Sequence, residues 1–127
     1  MNDLIFRARD ARTSGFSSVE EGLHVTTKSS YSGGLIYEWD EAKNRSNLVK
    51  HGLDFADAEQ VLTGPCVAFV DSRFDYGEER LITLGLLAGR VVIVAHAPRG
   101  DTTRIISMRK ANRREQKIYY QKRFGEG

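Results

Sequence analysis

From residue 35 onward the apolar positions switch between two periods. In Leu35-Ile-Tyr-Glu-Trp, large residues alternate about Glu38, which predicts a short strand. Asp40 follows as an N-cap, because its carboxylate can accept first-turn backbone N–H groups that otherwise lack partners. The helix it starts runs to about His51. Lys50 and His51 suit the negative end of its dipole, and Gly52 supplies a left-handed stop. Asp54 caps a second helix, in which Phe55, Ala58 and Leu62 form one apolar stripe, and Gly64-Pro65 ends it. Four strands are then predicted: Cys66–Ser72, Glu79–Leu87, Arg90–Ala97 and Thr102–Lys110. Asp75-Tyr-Gly-Glu, Ala88-Gly89 and Pro98-Arg-Gly-Asp turn the chain between them. Val91-Val-Ile-Val-Ala is apolar at every position, which suits a central strand covered on both faces. Short turns between successive strands imply an antiparallel meander. Asn112 with Glu115 three residues on has the form of a capping box and opens a last helix. The order βααββββα predicts an α+β domain with an antiparallel sheet of four to five strands, two N-terminal helices and one C-terminal helix.

Residues 1–34 differ. They are rich in Ser, Thr and Gly and hold neither period for long, so they read as a poorly ordered extension to the domain at 35–127. Leu23–Thr26 is a candidate short strand within them. A chain of 127 residues is one domain on size alone and can bury enough apolar surface to fold without a disulfide or metal. No apolar run approaches the roughly 20 residues needed to span a bilayer, and the first residues lack the core of a secretory signal. The single Cys66 excludes an intrachain disulfide and a Cys-based zinc site. Three histidines without paired His/carboxylate spacing argue against any metal, and no cofactor is expected. These features point to a cytoplasmic protein.

The net charge of +2 hides a polarity. From Arg99 to Gly127 there are nine Lys/Arg against three Asp/Glu, whereas Leu35–Pro98 has six against ten. A basic end on an acidic body suggests a polyanion site, although a charge run on a solvated helix is the blander alternative.

Several ordered motifs then carry a resemblance. Glu38-Trp39-Asp40 with Lys43, Lys50-His51-Gly52, Asp75-Tyr76-Gly77-Glu78-Glu79-Arg80, Arg99-Gly100-Asp101, Arg104-Ile-Ile-Ser-Met-Arg-Lys-Ala and Arg113-Arg114-Glu115 together resemble the BrnT family, over about Ile36 to Tyr120. The extension at 1–34 is outside that pattern, and Met108 stands where the family usually has Ala. The resemblance implies a RelE-like fold and a toxin of a type II toxin–antitoxin system, with ribonuclease activity that blocks translation. It also implies a BrnA-like ribbon-helix-helix antitoxin, a heterotetramer of two toxins and two antitoxins, and operator DNA bound through the antitoxin. A non-catalytic antitoxin-binding partner that modulates operator binding is the alternative, because no acid–base pair is evident.

A metal-independent ribonuclease uses the RNA 2′-OH as nucleophile, so it needs in-line placement, a proton acceptor and cations for the charge developing at phosphorus. Arginine suits the last task, since its planar fork holds two phosphate oxygens. Arg80 and Arg109 are the expected phosphate contacts, with His96 as proton carrier and Arg104 in reserve. Arg104 and Arg109 have opposite strand parity, so one flat site takes both only if a bulge or the strand end re-aims one. His51 is a further catalytic candidate, through its Lys-His-Gly motif, against a structural role at the helix end. Lys50, Arg99, Lys110, Arg113 and Arg114 are expected to hold RNA backbone. Glu78 and Glu79 read as solvated turn charges, with salt bridging to an arginine as the alternative. Trp39 and Tyr119 read as packing residues.

Overall fold

A computed structural model describes residues 27–32 and 35–125. Strands β1 (Thr27–Ser32) and β2 (Leu35–Asp40) precede helix α1 (Glu41–His51). A 3₁₀ turn (Phe55–Asp57) leads into α2 (Ala58–Thr63). Then come β3 (Cys66–Val70), β4 (Leu81–Leu87), β5 (Arg90–Arg99) and β6 (Thr102–Lys110). Helix α3 (Arg113–Tyr120) follows and widens into a π turn over Gln121–Gly125.

The local signals act as their chemistry requires. The Asp40 carboxylate accepts from Ala42 N at 2.9 Å. Gly52 takes φ 71° and its N–H donates to the Leu48 carbonyl. Ala88 (φ 51°) and Gly89 (φ 79°) are both left-handed, as a two-residue turn of type I′ demands. Asn112 and Glu115 form both halves of the capping box, at 2.8 and 2.9 Å.

The α+β class and the β3–β6 meander are as expected, and the sheet differs in two details. It has six strands in the order β1-β2-β6-β5-β4-β3, and it is mixed. The chain leaves β2, crosses through α1 and α2, and re-enters at the far edge as β3. That leaves β2 beside the last strand, and Ile36–Glu38 pairs parallel with Thr102–Arg104. The other addition is β1, which pairs antiparallel with β2 and lies inside the segment set apart as an extension. The candidate strand at Leu23–Thr26 lies outside the described residues.

Helices cover both faces. Phe55, Ala58 and Val61 pack with Tyr37, Trp39, Val92, Val94, Ile105 and Met108 on one face. Ile118 and Tyr119 of α3 pack with Ile82, Leu84, Ile93 and Ala95 on the other. Residues Val91–Ala97 are buried at every position, which explains the unbroken apolar run of β5. Val61 joins the stripe and is its most buried member in α2 with Ala58, while Leu62 packs half-buried against the same cluster, because the 3₁₀ turn has three residues per turn and shifts the phase. A Cβ at Gly85 would lie 2.9 Å from Val61 Cγ1, so glycine there lets α2 rest close on β4.

Helix α1 buries two amides instead of an apolar stripe. Asn44 Oδ1 accepts from Phe55 N (2.9 Å) and its Nδ2 donates to Asp54 (3.1 Å). Asn47 Nδ2 donates to the Leu53 carbonyl, and its Oδ1 accepts from Met108 N. The β2–β6 ladder stops at Arg104, so Asn47 satisfies a backbone donor that the sheet leaves open.

Candidate functional site

On the α3 face, the sheet end away from the β4–β5 hairpin carries a row of charged side chains. Leu81 pairs with His96, so the preceding residue, Arg80, falls opposite Ala97. Ala97 pairs with Arg104, and Arg104 pairs with Glu38. On the outer side, Asp71 N donates to the Arg80 carbonyl at 2.8 Å. The order across the sheet is Asp71, Arg80, Ala97, Arg104, Glu38. With strands spaced by about 4.8 Å, the two arginine Cα atoms stand roughly 10 Å apart across a small residue.

A bulge produces this row. Ala95 pairs with Ser107 but His96 with Ile105, which leaves Ile106 without an opposite residue. The extra residue reverses the parity of everything before it. Arg104 therefore shares a face with Arg109, the partner of Ile93, as well as with Arg80. Simple alternation along the strand predicts the reverse, and the bulge is the condition under which both can face one site.

Each arginine is held differently. Arg80 Nε donates to Glu78 Oε2 at 3.1 Å, and its guanidinium carbon lies 4.3 Å from the centre of the Tyr76 ring. Its two terminal nitrogens make no hydrogen bond among the described residues. Arg99 Nε reaches the other oxygen of Glu78 at 3.3 Å. Arg104 Nη1 donates to Glu38 Oε2 at 3.1 Å, which leaves Nε and Nη2 without such a partner among the described residues. Arg109 is more constrained. Its two terminal nitrogens grip the Glu115 carboxylate at 2.9 and 2.8 Å, and that side chain is 1% exposed. The pair ties α3 to β6, and Glu115 closes the capping box with the same carboxylate.

His96 is not among them. It faces the α2 side with Val94 and Ile105, is 8% exposed, and its Nε2 lies 2.8 Å from Thr83 Oγ1. Burial pulls its pKa down to about 4, so the imidazole is neutral at physiological pH. Lys50 and His51 end α1, in the layer on that same side, where Lys50 is exposed and His51 half-buried. The structure thus does not bring His96 or His51 together with the arginines. Arg113 and Arg114 are exposed in the first turn of α3. Lys110 lines an open cleft of about 410 Å³ with Arg90, Gln116 and Tyr120, at the other end of the sheet from Arg80. Burial pushes the Cys66 thiol upward, away from an activated thiolate. Among the described residues no three His, Cys, Asp or Glu side chains converge to hold a metal ion, and no helix is long and apolar enough to cross a membrane.

Two carboxylates join the site beyond the expected residues: Glu38, and Glu78, for which the sequence leaves salt bridging to an arginine as the alternative to a solvated turn charge. Glu78 binds both Arg80 and Arg99 and is no solvated turn charge. The available signal was only the closeness of Glu78 to Arg80 in the chain, two residues apart at the end of a turn. Glu38 carried no such signal, because its pairing depends on β2 and β6, which are far apart in the chain.

No curated protein sequence matches the chain. A family model, described as "Ribonuclease toxin, BrnT, of type II toxin-antitoxin system", matches residues 39–115, more than half of its length. That span begins on β2 and ends at Glu115, so it takes in Arg80, Arg104, Arg109 and the bulge that aligns them. The chain belongs to the BrnT family of type II ribonuclease toxins.

Proposed function

We propose that this protein is a metal-independent endoribonuclease that blocks translation, with Arg80 and Arg104 as the cations at the scissile phosphate. What supports the reading is the row itself: two half-buried arginines flank Ala97 on one face, each with donors left over after its glutamate contact. A phosphate bridging the two guanidinium groups could receive a hydrogen bond from each side. As the 2′-OH attacks, negative charge grows on the non-bridging oxygens, and fixed guanidinium donors stabilise it more than they stabilise the ground state. Glu38 and Glu78 are the carboxylates of the row able to take the 2′-OH proton, and each also orients an arginine. DNA lacks the nucleophile, so RNA selectivity follows from the mechanism.

This reading revises two roles. Arg109 anchors α3 through Glu115 and does not contact phosphate. Neither His96 nor His51 serves as the proton carrier. Arg99, Arg113 and Arg114 bind flanking RNA backbone, which adds affinity without sequence selectivity. A type II toxin has an antitoxin. We take that partner to be a BrnA-like ribbon-helix-helix protein, in a 2:2 complex that binds operator DNA through the antitoxin.

The test is cleavage of a defined RNA in excess chelator, beside the same strand carrying one 2′-deoxynucleotide at the cut. The expected products carry a 2′,3′-cyclic phosphate, and the deoxy strand stays whole. No cleavage by folded protein, with or without ribosomes, would leave a non-catalytic antitoxin-binding partner as the better reading.

A further inference from the structure

The loop between β3 and β4, residues 71–80, is built around one buried carboxylate that the mechanism does not use. Asp71 is 4% exposed. Its oxygens accept from Arg73 Nε and Nη2, both at 2.8 Å, and from Tyr76 Oη at 2.9 Å. Burial alone would raise its pKa, but these hydrogen bonds outweigh it and hold the carboxyl below its ordinary value. Asp71 therefore remains an anion and a firm acceptor. Its backbone N–H also ties the loop's start to its end, at the Arg80 carbonyl. Tyr76 connects this node to the site: its hydroxyl is fixed by Asp71 while its ring supports the Arg80 guanidinium, 4.3 Å away. Gly77 takes φ 76° directly after Tyr76, and its N–H donates to Asp75 Oδ1, so the turn holds the ring's backbone in place.

We infer that Tyr76, anchored by Asp71, is a positioning residue for Arg80, the aromatic half of a clamp whose other half is Glu78. An arginine side chain left to itself samples many rotamers, and ordering it on the phosphate costs free energy at binding. A ring on one flank and a carboxylate on Nε remove most of that freedom beforehand and leave the terminal nitrogens for the ligand. The inference rests on the proposed role of Arg80, and the anchor itself is independent of RNA.

The test is a double-mutant cycle on binding of an uncleavable 2′-O-methyl RNA, with the folded state of each variant checked by circular dichroism. Arg80→Ala should weaken binding several-fold and reduce the slope of log affinity against log salt by about 0.7, the value for one phosphate contact on a single strand. Tyr76→Leu should weaken binding in the same direction, and the double variant should bind no more weakly than Arg80→Ala alone. Tyr76→Phe keeps the ring and loses the Asp71 anchor, so it should fall between wild type and Tyr76→Leu. Equal losses from Tyr76→Leu with and without Arg80 would overturn the inference and leave Arg80's role intact. An unchanged slope in Arg80→Ala would overturn both.

Discussion

His96 and Arg80 end apolar rows on adjacent strands, yet they meet opposite surroundings. Burial takes His96 from an ordinary pKa of 6.5 to about 4, with a threonine hydroxyl as its near partner. Between those values the unfolded chain binds the extra proton and the folded one does not. The contribution is therefore fully present above pH 6.5 and is lost as pH falls toward 4. Between pH 7 and pH 5 it amounts to about 2 kcal/mol of stability, from the width of the shift. Urea unfolding at the two pH values should show that fall in wild type. In His96→Asn the fall should be smaller by the same amount, while RNA cleavage by the folded variant persists. Equal pH dependence in both proteins would place the titration elsewhere. Arg80, by contrast, is half-buried with a carboxylate on its Nε and an aromatic face against its guanidinium.

Among the elements, α3 depends on one carboxylate more than on its own length. Eight residues make a marginal helix, and Glu115 both caps it and receives Arg109 from β6. Glu115→Ala should cost about 3 kcal/mol, the lower end of the range for breaking a buried ion pair, since Arg109 stays partly solvated. Arg109→Ala should destabilise comparably, and cleavage by either variant should track its folded fraction in thermal melts. A fully stable Arg109→Ala variant that no longer cleaves would return Arg109 to the phosphate. The helix and its cap were legible from Asn112 and Glu115 alone, because a capping box is a local interaction. So were the four strands of the meander, each bounded by its own turn residues. The parallel β2–β6 contact and the bulge at Ile106 were not legible. Both are set by which strands meet across the fold, and no residue near Ile106 marks the extra position. The consequence reached the site: alternation along β6 alone separates Arg104 from Arg109, and with it the row was hidden.

At the scale of the molecule, chemistry and packing are divided between the two faces of one sheet. The α1–α2 side holds Trp39, Phe55 and the buried His96. The α3 side leaves one end of the sheet to Arg80, Arg99 and Arg104, which are paired with Glu78 and Glu38, while the exposed Arg113 and Arg114 lie on the covering helix. The basic charge of the last third thus reaches this face from β5, β6 and α3, and Arg80 joins it from the acidic body of the chain. The most direct test of that division is the single-turnover cleavage rate of a defined RNA in chelator by wild type, Arg80→Ala, Arg104→Ala and His96→Asn. The two arginine variants should each lose about 100-fold, the scale for removing one preorganised donor from a developing oxyanion, and His96→Asn should stay near wild type. Folded arginine variants that cleave at the wild-type rate, or a His96 variant that alone is inactive while folded, would contradict the account.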